Sequence, residues 1–334
     1  LERFNAYFND ISNMVALIRE ERIDKTAALE ELGQIEERAS LMLDKIDGLR
    51  ERYGSRPSLR MKRPEITPLK KEGATMGKNT TRIIAVANEK GGVGKTVTVI
   101  NLGAAFSLMG KNVLVVDMDP QANATKVLGI EPDAERLNTY DLIIRPDKAV
   151  AEDAVLETPW NGLHVIPSHV DLSGAEVELV DVDGRENRLR EALAPIKEGY
   201  DVILLDTPPS LSLLTVNVFT CAREVIVPCQ THPYAFGALD ELFDTIDAVK
   251  EAINPDLAVT GVLATLYDQR TRVSQRILDK LKNDDTYGPL LFQTVIRSNT
   301  KIADSADVGK PVVFYRTTSF GALDYKALAG ELEG

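Results

Sequence analysis

The chain has 334 residues, 44% of them hydrophobic, and a formal net charge of −12 from 39 Lys and Arg against 51 Asp and Glu. That content excludes a disordered or collagenous chain, and the acidic balance argues against a surface coated in basic groups for nucleic acid or acidic lipid. Two cysteines, Cys221 and Cys229, supply neither a disulfide framework nor a four-ligand metal set and fit a reducing, cytoplasmic setting. No apolar run approaches about 18 residues and no long apolar stretch follows Leu1, so neither a membrane-spanning helix nor a signal peptide is expected.

The length suits two domains, or one large α/β domain with an appendage. Charge divides unevenly: residues 1–75 hold 14 basic and 14 acidic side chains, which leaves 25 and 37 in 76–334. Residues 1–53 are predicted to form a helical hairpin. Phe4, Tyr7, Phe8, Ile11, Met14, Val15 and Ile18 make one apolar stripe, and Leu29, Leu32, Ile35, Ala39, Leu43 and Ile46 a second. Two such helices cannot bury their stripes fully on each other, so they are expected to pack on the main domain, a second copy or another protein. Residues 54–80 read as an exposed basic linker: Arg56, Arg60, Lys62, Arg63, Lys70 and Lys71 share it with Pro57, Pro64 and Pro68. It serves either as a solvated spacer or as a contact to a phosphate backbone.

From residue 81 to 334 the pattern becomes β-rich runs alternating with helical stretches. Strands are predicted at Ile83–Ala87, Asn112–Val116, Leu163–Pro167, Val202–Leu205, Val225–Val227 and Val259–Leu263. Their near-continuous apolar character predicts an α/β fold: a doubly wound, mostly parallel sheet covered by helices on both faces, with the N-terminal helical extension beside it. The first strand runs into Asn88-Glu89-Lys90-Gly91-Gly92-Val93-Gly94-Lys95-Thr96 and a helix over 96–109. Gly91, Gly92 and Gly94 let backbone N–H groups approach a polyphosphate, the helix N-terminus adds positive potential, Lys95 reaches the phosphates and the Thr96 hydroxyl holds Mg²⁺. The second strand ends in Asp117-Met118-Asp119-Pro120-Gln121. Val202-Ile203-Leu204-Leu205-Asp206 is a Walker B arrangement that places Asp206 by the metal. Thr96 and Asp119 are expected at the C-terminal ends of neighbouring strands, where open α/β sheets bind ligands. Further on, Arg270, Arg272, Arg276, Lys280 and Lys282 form one basic cluster, and Arg297, Lys301 and Lys310 follow.

The string Lys90-Gly91-Gly92-Val93-Gly94-Lys95-Thr96 departs from the ordinary P-loop, because Glu89 stands where glycine is required and a second lysine opens the loop. It resembles the deviant Walker A motif of the ParA/MinD family of P-loop ATPases. Asp119-Pro120-Gln121-Ala122-Asn123-Ala124-Thr125, Leu172-Ser173-Gly174-Ala175-Glu176-Val177-Glu178-Leu179, Val227-Pro228-Cys229-Gln230 and Gly309-Lys310-Pro311-Val312 resemble ParA-type partition proteins. Ala122 stands where that family often has Gly, and Val97 where it often has Thr or Ser. The resemblance implies that residues Lys90 to Val97 bind ATP or ADP with Mg²⁺, and that Lys90 reaches a partner's phosphates across an ATP-sandwich homodimer. It also implies that Asp119 positions the attacking water while Asp117 supports the metal, and that Asn299 faces the adenine. Arg270, Arg272, Arg297 and Lys301 are the implied DNA contacts. The implied cycle is slow ATP hydrolysis on the nucleoid, nonspecific DNA binding by the dimer, and stimulation by a ParB-type partner. The rival is a MinD-like or cargo-positioning ATPase on a membrane, a chemoreceptor array or a microcompartment. The short acidic segment Leu323–Gly334 argues against a membrane. A reductase of the nitrogenase iron-protein kind needs cluster cysteines, whereas Cys221 and Cys229 flank a predicted strand as buried thiols would.

Overall fold

The structure, a computed structural model, describes residues 81–146, 149–233 and 236–334; the hairpin expected over 1–53 and the linker expected over 54–80 lie outside the described residues. The described elements are β1 (Arg82–Val86), α1 (Lys95–Leu108), β2 (Val113–Asp117), α2 (Asn123–Val127), α3 (Thr139–Ile144), α4 (Ala151–Ala154), β3 (Leu156–Glu157), β4 (Leu163–Ile166), α5 (Ala175–Glu178), α6 (Arg188–Leu193), β5 (Val202–Asp206), α7 (Leu213–Cys221), β6 (Glu224–Gln230), α8 (Gly237–Ala252), β7 (Ala258–Thr265), α9 (Arg272–Lys282), α10 (Thr300–Asp307), α11 (Val312–Tyr315) and α12 (Phe320–Glu333). The strands form one sheet in the order β3-β4-β2-β5-β1-β6-β7, parallel except for the two-residue edge strand β3.

Every residue of β2 and β5 is buried, as an apolar run without alternation requires when both faces are covered. Ile84, Val86, Val113, Val115, Val202 and Leu204 face a layer built by α1 and α12, where Leu102, Phe106, Tyr325 and Leu328 pack. Alternate strand residues, among them Ala85, Leu114, Ile203 and Leu205, are buried on the opposite face. Helix α1 is buried almost all round from Thr98 to Phe106, because it lies between the sheet and α12. All six expected strands are present. Strands β6 and β7 run longer than the apolar pattern marks, since their ends carry Glu224, Gln230 and Thr265. The pair β3–β4 has too few residues to leave a periodic signal. One expectation is corrected: β1 and β2 are not neighbours. Strand β5 lies between them, so Asp206, and not Asp119, follows directly from the strand beside the phosphate loop.

Glycines mark two close approaches. A methyl at Gly261 in β7 would sit 2.6 Å from the Phe292 ring and 2.9 Å from the Leu290 carbonyl oxygen, while one at Gly103 in α1 would meet only the methyl ends of Leu163 and Leu204, each at 3.3 Å, and Val115 at 3.5 Å. Gly261→Ala is therefore expected to lower unfolding free energy by about 1–3 kcal/mol, since a backbone oxygen cannot yield as a side chain does. Gly103→Ala should be near neutral, a helix-propensity gain of up to ~1 kcal/mol offsetting the tight fit. Urea unfolding of the two variants checks the contrast.

Candidate active site

The phosphate loop is fixed from behind by three hydrogen bonds. Asn88 donates from Nδ2 to the Pro228 carbonyl at 2.8 Å and accepts the Lys90 N–H at 2.9 Å, which ties the loop to β6. The Thr265 hydroxyl at the end of β7 donates to the Val93 carbonyl at 2.8 Å. Gly92 and Gly94 have φ of +73° and +94°, left-handed values that an L side chain rarely adopts. Gly94 caps α1 without any side-chain hydrogen bond, and the first turn holds no acidic residue. The first N–H groups of α1 and its positive end are thus left for an anion.

The two lysines of the loop differ. Lys95 is 6% exposed and donates from Nζ to the Lys90 carbonyl at 3.2 Å. Burial lowers its pKa, and the charges of Asp206 and Asp119 work against that shift. The Lys90 side chain is half-buried and makes no hydrogen bond or ion pair among the described residues, although its backbone is held at both N–H and C=O.

Parallel pairing sets Asp117 and Asp206 directly opposite each other at the ends of β2 and β5, and both are fully buried. Asp117 is hydrogen-bonded within its own loop. It accepts the Asp119 N–H at 3.1 Å, the Thr125 N–H at 2.8 Å and the Thr125 hydroxyl at 2.7 Å. Burial pushes its carboxyl up to about 6 against the pull of those Thr125 bonds. Neither oxygen of Asp206 has a well-formed hydrogen bond among the described residues. Burial, and then the charge of Asp117, hold Asp206 well above the usual carboxylate range, while the Thr96 hydroxyl and Lys95 favour its charged form. Asp119, 7% exposed, accepts the Gln121 N–H at 2.9 Å and so faces the cleft from a braced turn. In that turn Ala122 takes φ +53°, a left-handed value for which glycine is the unstrained choice.

A cleft of about 650 Å³ joins these parts. Gly91, Gly92, Gly94, Lys95, Thr96, Val97 and Asp119 line it, and Asn299 enters from the far wall with Leu266, Ile296, Ser298 and Thr300. Asn299 also caps α10 by accepting the Lys301 N–H at 2.8 Å. No cluster of three or more His, Cys, Asp or Glu among the described residues has the geometry of a metal cage. Mg²⁺ keeps waters and takes one or two protein oxygens besides phosphate. The unpartnered oxygens of Asp206 beside Thr96 fit such an ion.

The motifs assign no role to Asn88, Thr125, Thr265 and Tyr325, although Asn88 and Thr125 stand within the loop and Asp119–Thr125 strings. Asn88 bonds Pro228, Thr265 bonds Val93 and Thr125 accepts the Ser168 N–H, partners far off in the chain that no local pattern records, and Tyr325 lines the cleft. The expected DNA residues differ in what engages them. Arg270 is 83% exposed and paired with Asp268 at 2.8 Å, Arg272 is exposed at the start of α9, and Lys301 pairs with Asp304 at 2.7 Å. Arg297 departs from the expected picture of an arginine presented to DNA, because Asp324 engages it at 2.5 Å. The thiols of Cys221 and Cys229 are buried and pushed up to about 12, as inert core cysteines are.

Fold and loop together define a P-loop nucleotide-binding protein. Residues 81–259 match the family described as AAA domain. The sporulation initiation inhibitor protein Soj of Bacillus subtilis is 41% identical over 251 residues, 75% of this chain and 98% of Soj. The chromosome partitioning protein ParA of Myxococcus xanthus is 40% identical over 78% of this chain and 89% of that protein. A solved cobyrinic acid a,c-diamide synthase from Mycobacterium smegmatis with bound ADP and magnesium has a TM-score of 0.66 at 35% identity, over 76% of this chain and 94% of that one. The chain belongs to the ParA/MinD family of ATPases.

Thr125 braces the acidic turn through Asp117 and also accepts the Ser168 N–H at 3.0 Å. Thr125→Val removes a hydroxyl bond to a buried carboxylate, and an expected loss of roughly 1.5–3 kcal/mol in urea unfolding checks it. ATP turnover should fall with it, because the same bonds hold the turn that carries Asp119.

Proposed function

We propose that this protein is a DNA-partition ATPase that binds Mg-ATP in the cleft, closes into a sandwich dimer and binds DNA without sequence preference. A ParB-type partner accelerates its slow hydrolysis and release. The observation that carries the reading is one loop with two lysines in different states: Lys95 drawn into the cleft, Lys90 anchored by its backbone with its ammonium unengaged. A cation so held suits contact with a second molecule's phosphates, as an arginine finger makes in trans.

The residues divide the chemistry as follows. The loop N–H groups and Lys95 bind and orient the phosphates. Thr96 and Asp206 would hold Mg²⁺, which would supply charge neutralisation at the phosphate oxygens, and Asp117 shapes the turn behind them. Asp119 orients the attacking water from a position fixed by Gln121 and Asp117. Asn299 faces the base from the opposite wall.

DNA contact is assigned to Arg270, Arg272, Arg276, Lys280, Lys282 and Lys301. Helix α9 buries Ile277, Leu278 and Leu281 and presents Arg272, Arg276, Lys280 and Lys282 outward, a geometry suited to phosphate contacts. A MinD-like membrane cycle has less support. Helix α12 buries Ala322, Tyr325, Leu328, Ala329 and Leu332 within the fold.

The test is binding to random-sequence duplex DNA with and without Mg-ATP at two salt concentrations. Binding is expected only with Mg-ATP and should weaken steeply with salt, as counterion release requires; equal binding without nucleotide would sink the switch. Asp119→Ala should bind ATP and DNA but lose roughly 10²–10⁴-fold in turnover, the range for a positioned proton acceptor. Lys90→Ala should stay monomeric with ATP in light scattering; a normal dimer refutes the trans role.

A further inference from the structure

Arg297 lies within the segment 296–300, whose other members Ile296, Ser298, Asn299 and Thr300 line the nucleotide cleft. One side of this segment is tied to the chain beyond β7. The Tyr267 N–H donates to the Ile296 carbonyl at 3.1 Å, and the Ser298 N–H donates to the Tyr267 carbonyl at 2.9 Å. The other side is held by a single carboxylate on α12. Asp324, 6% exposed, accepts the Arg297 main-chain N–H at 3.0 Å, its Nε at 3.1 Å and its Nη2 at 2.5 Å. The guanidinium also lies 4.1 Å from the centre of the Phe320 ring. The next residue, Tyr325, borders the same cleft, and its hydroxyl meets the Thr98 hydroxyl of α1 at 3.3 Å. Successive residues of α12 thus grip two walls: Asp324 the 296–300 segment, Tyr325 the helix that follows the phosphate loop.

We propose that Asp324 and Arg297 are positioning residues for nucleotide binding, which hold the 296–300 wall at the spacing the nucleotide needs, and that Arg297 is not a DNA contact. An arginine that left Asp324 to reach a phosphate backbone would strand a buried, unpaired carboxylate, which is strongly unfavourable. The planar guanidinium matches the carboxylate as a fork and packs on a ring at the same time, which a lysine cannot reproduce. Neither residue hydrogen-bonds or ion-pairs with the phosphate loop among the described residues, so their effect belongs on affinity and not on the rate of hydrolysis. The inference rests on the nucleotide reading of the cleft and is independent of the DNA reading.

The test uses the full chain, with the Kd for methylanthraniloyl-ADP and Mg²⁺, kcat and KM for ATP, and affinity for random duplex DNA at saturating ATP. Asp324→Asn, close in shape, and Arg297→Gln should each raise Kd and KM about tenfold, each factor of ten corresponding to about 1.4 kcal/mol, with kcat little changed. Arg297→Lys should fall between wild type and Arg297→Gln because it keeps the charge but loses the fork. The double variant Arg297→Gln/Asp324→Asn should bind nucleotide no worse than the weaker single variant, since it leaves no unpaired buried charge. DNA affinity of ATP-saturated Arg297→Gln should match wild type. An unchanged Kd in both single variants overturns the proposal, as does a loss of DNA affinity at unchanged nucleotide affinity. If wild type binds the ADP probe but no DNA, the partition reading fails while this inference stands on its own Kd values.

Discussion

Two aspartates forced side by side at the C-terminal end of a parallel sheet are the constraint on which this site depends. Register places Asp117 and Asp206 opposite each other on adjacent strands, which lie about 4.8 Å apart. Both are fully buried, and burial disfavours their charged forms. Such a pair is tolerable only if its oxygens are satisfied. Asp117 meets that demand from within the protein, through Thr125 and the Asp119 backbone. Asp206 does not, and its free oxygens point to an outside cation.

The surrounding architecture answers the same demand. Lys95 brings positive charge into the acidic end of the sheet, and its own lowered pKa records the cost of burying it there. Loop glycines leave N–H groups open where phosphate charge is to be met. Hydrogen bonds from Asn88 and Thr265 join the loop to β6 and β7. A preorganised anion site beside an unsatisfied carboxylate is what a magnesium–phosphate ligand completes.

Charge tells a second story at a longer range. The net charge of −12 belongs to residues 76–334, yet α9 carries four basic side chains on its outer face within that acidic body. Basic residues are not equivalent there. Arg272, Arg276 and Lys282 are exposed, Lys280 lies over the Phe236 ring at 4.1 Å, and Arg297 is held by a buried carboxylate. A local cationic face on a negative body suits contact that is weak in one copy and strengthened when two copies act together.

Six of the strands, the phosphate loop and the family were legible in the chain before any fold was known. Those features depend on local chemistry: apolar runs that need two covered faces, glycines at left-handed turns, and a lysine and threonine at a helix start. The second lysine was legible too, since Lys90 in place of glycine-led spacing separates this loop from the ordinary one. Which side chains meet depends on packing instead. Strand order set β5 between β1 and β2, and so made Asp206 the neighbour of the loop strand. Asp117 became a brace for the turn because Thr125, eight residues on, folds back onto it. Arg297 and Asp324, 27 residues apart, pair because α12 packs along α1 and meets the far wall of the cleft. Spacing along a chain records local geometry; partners brought together by packing leave no such record.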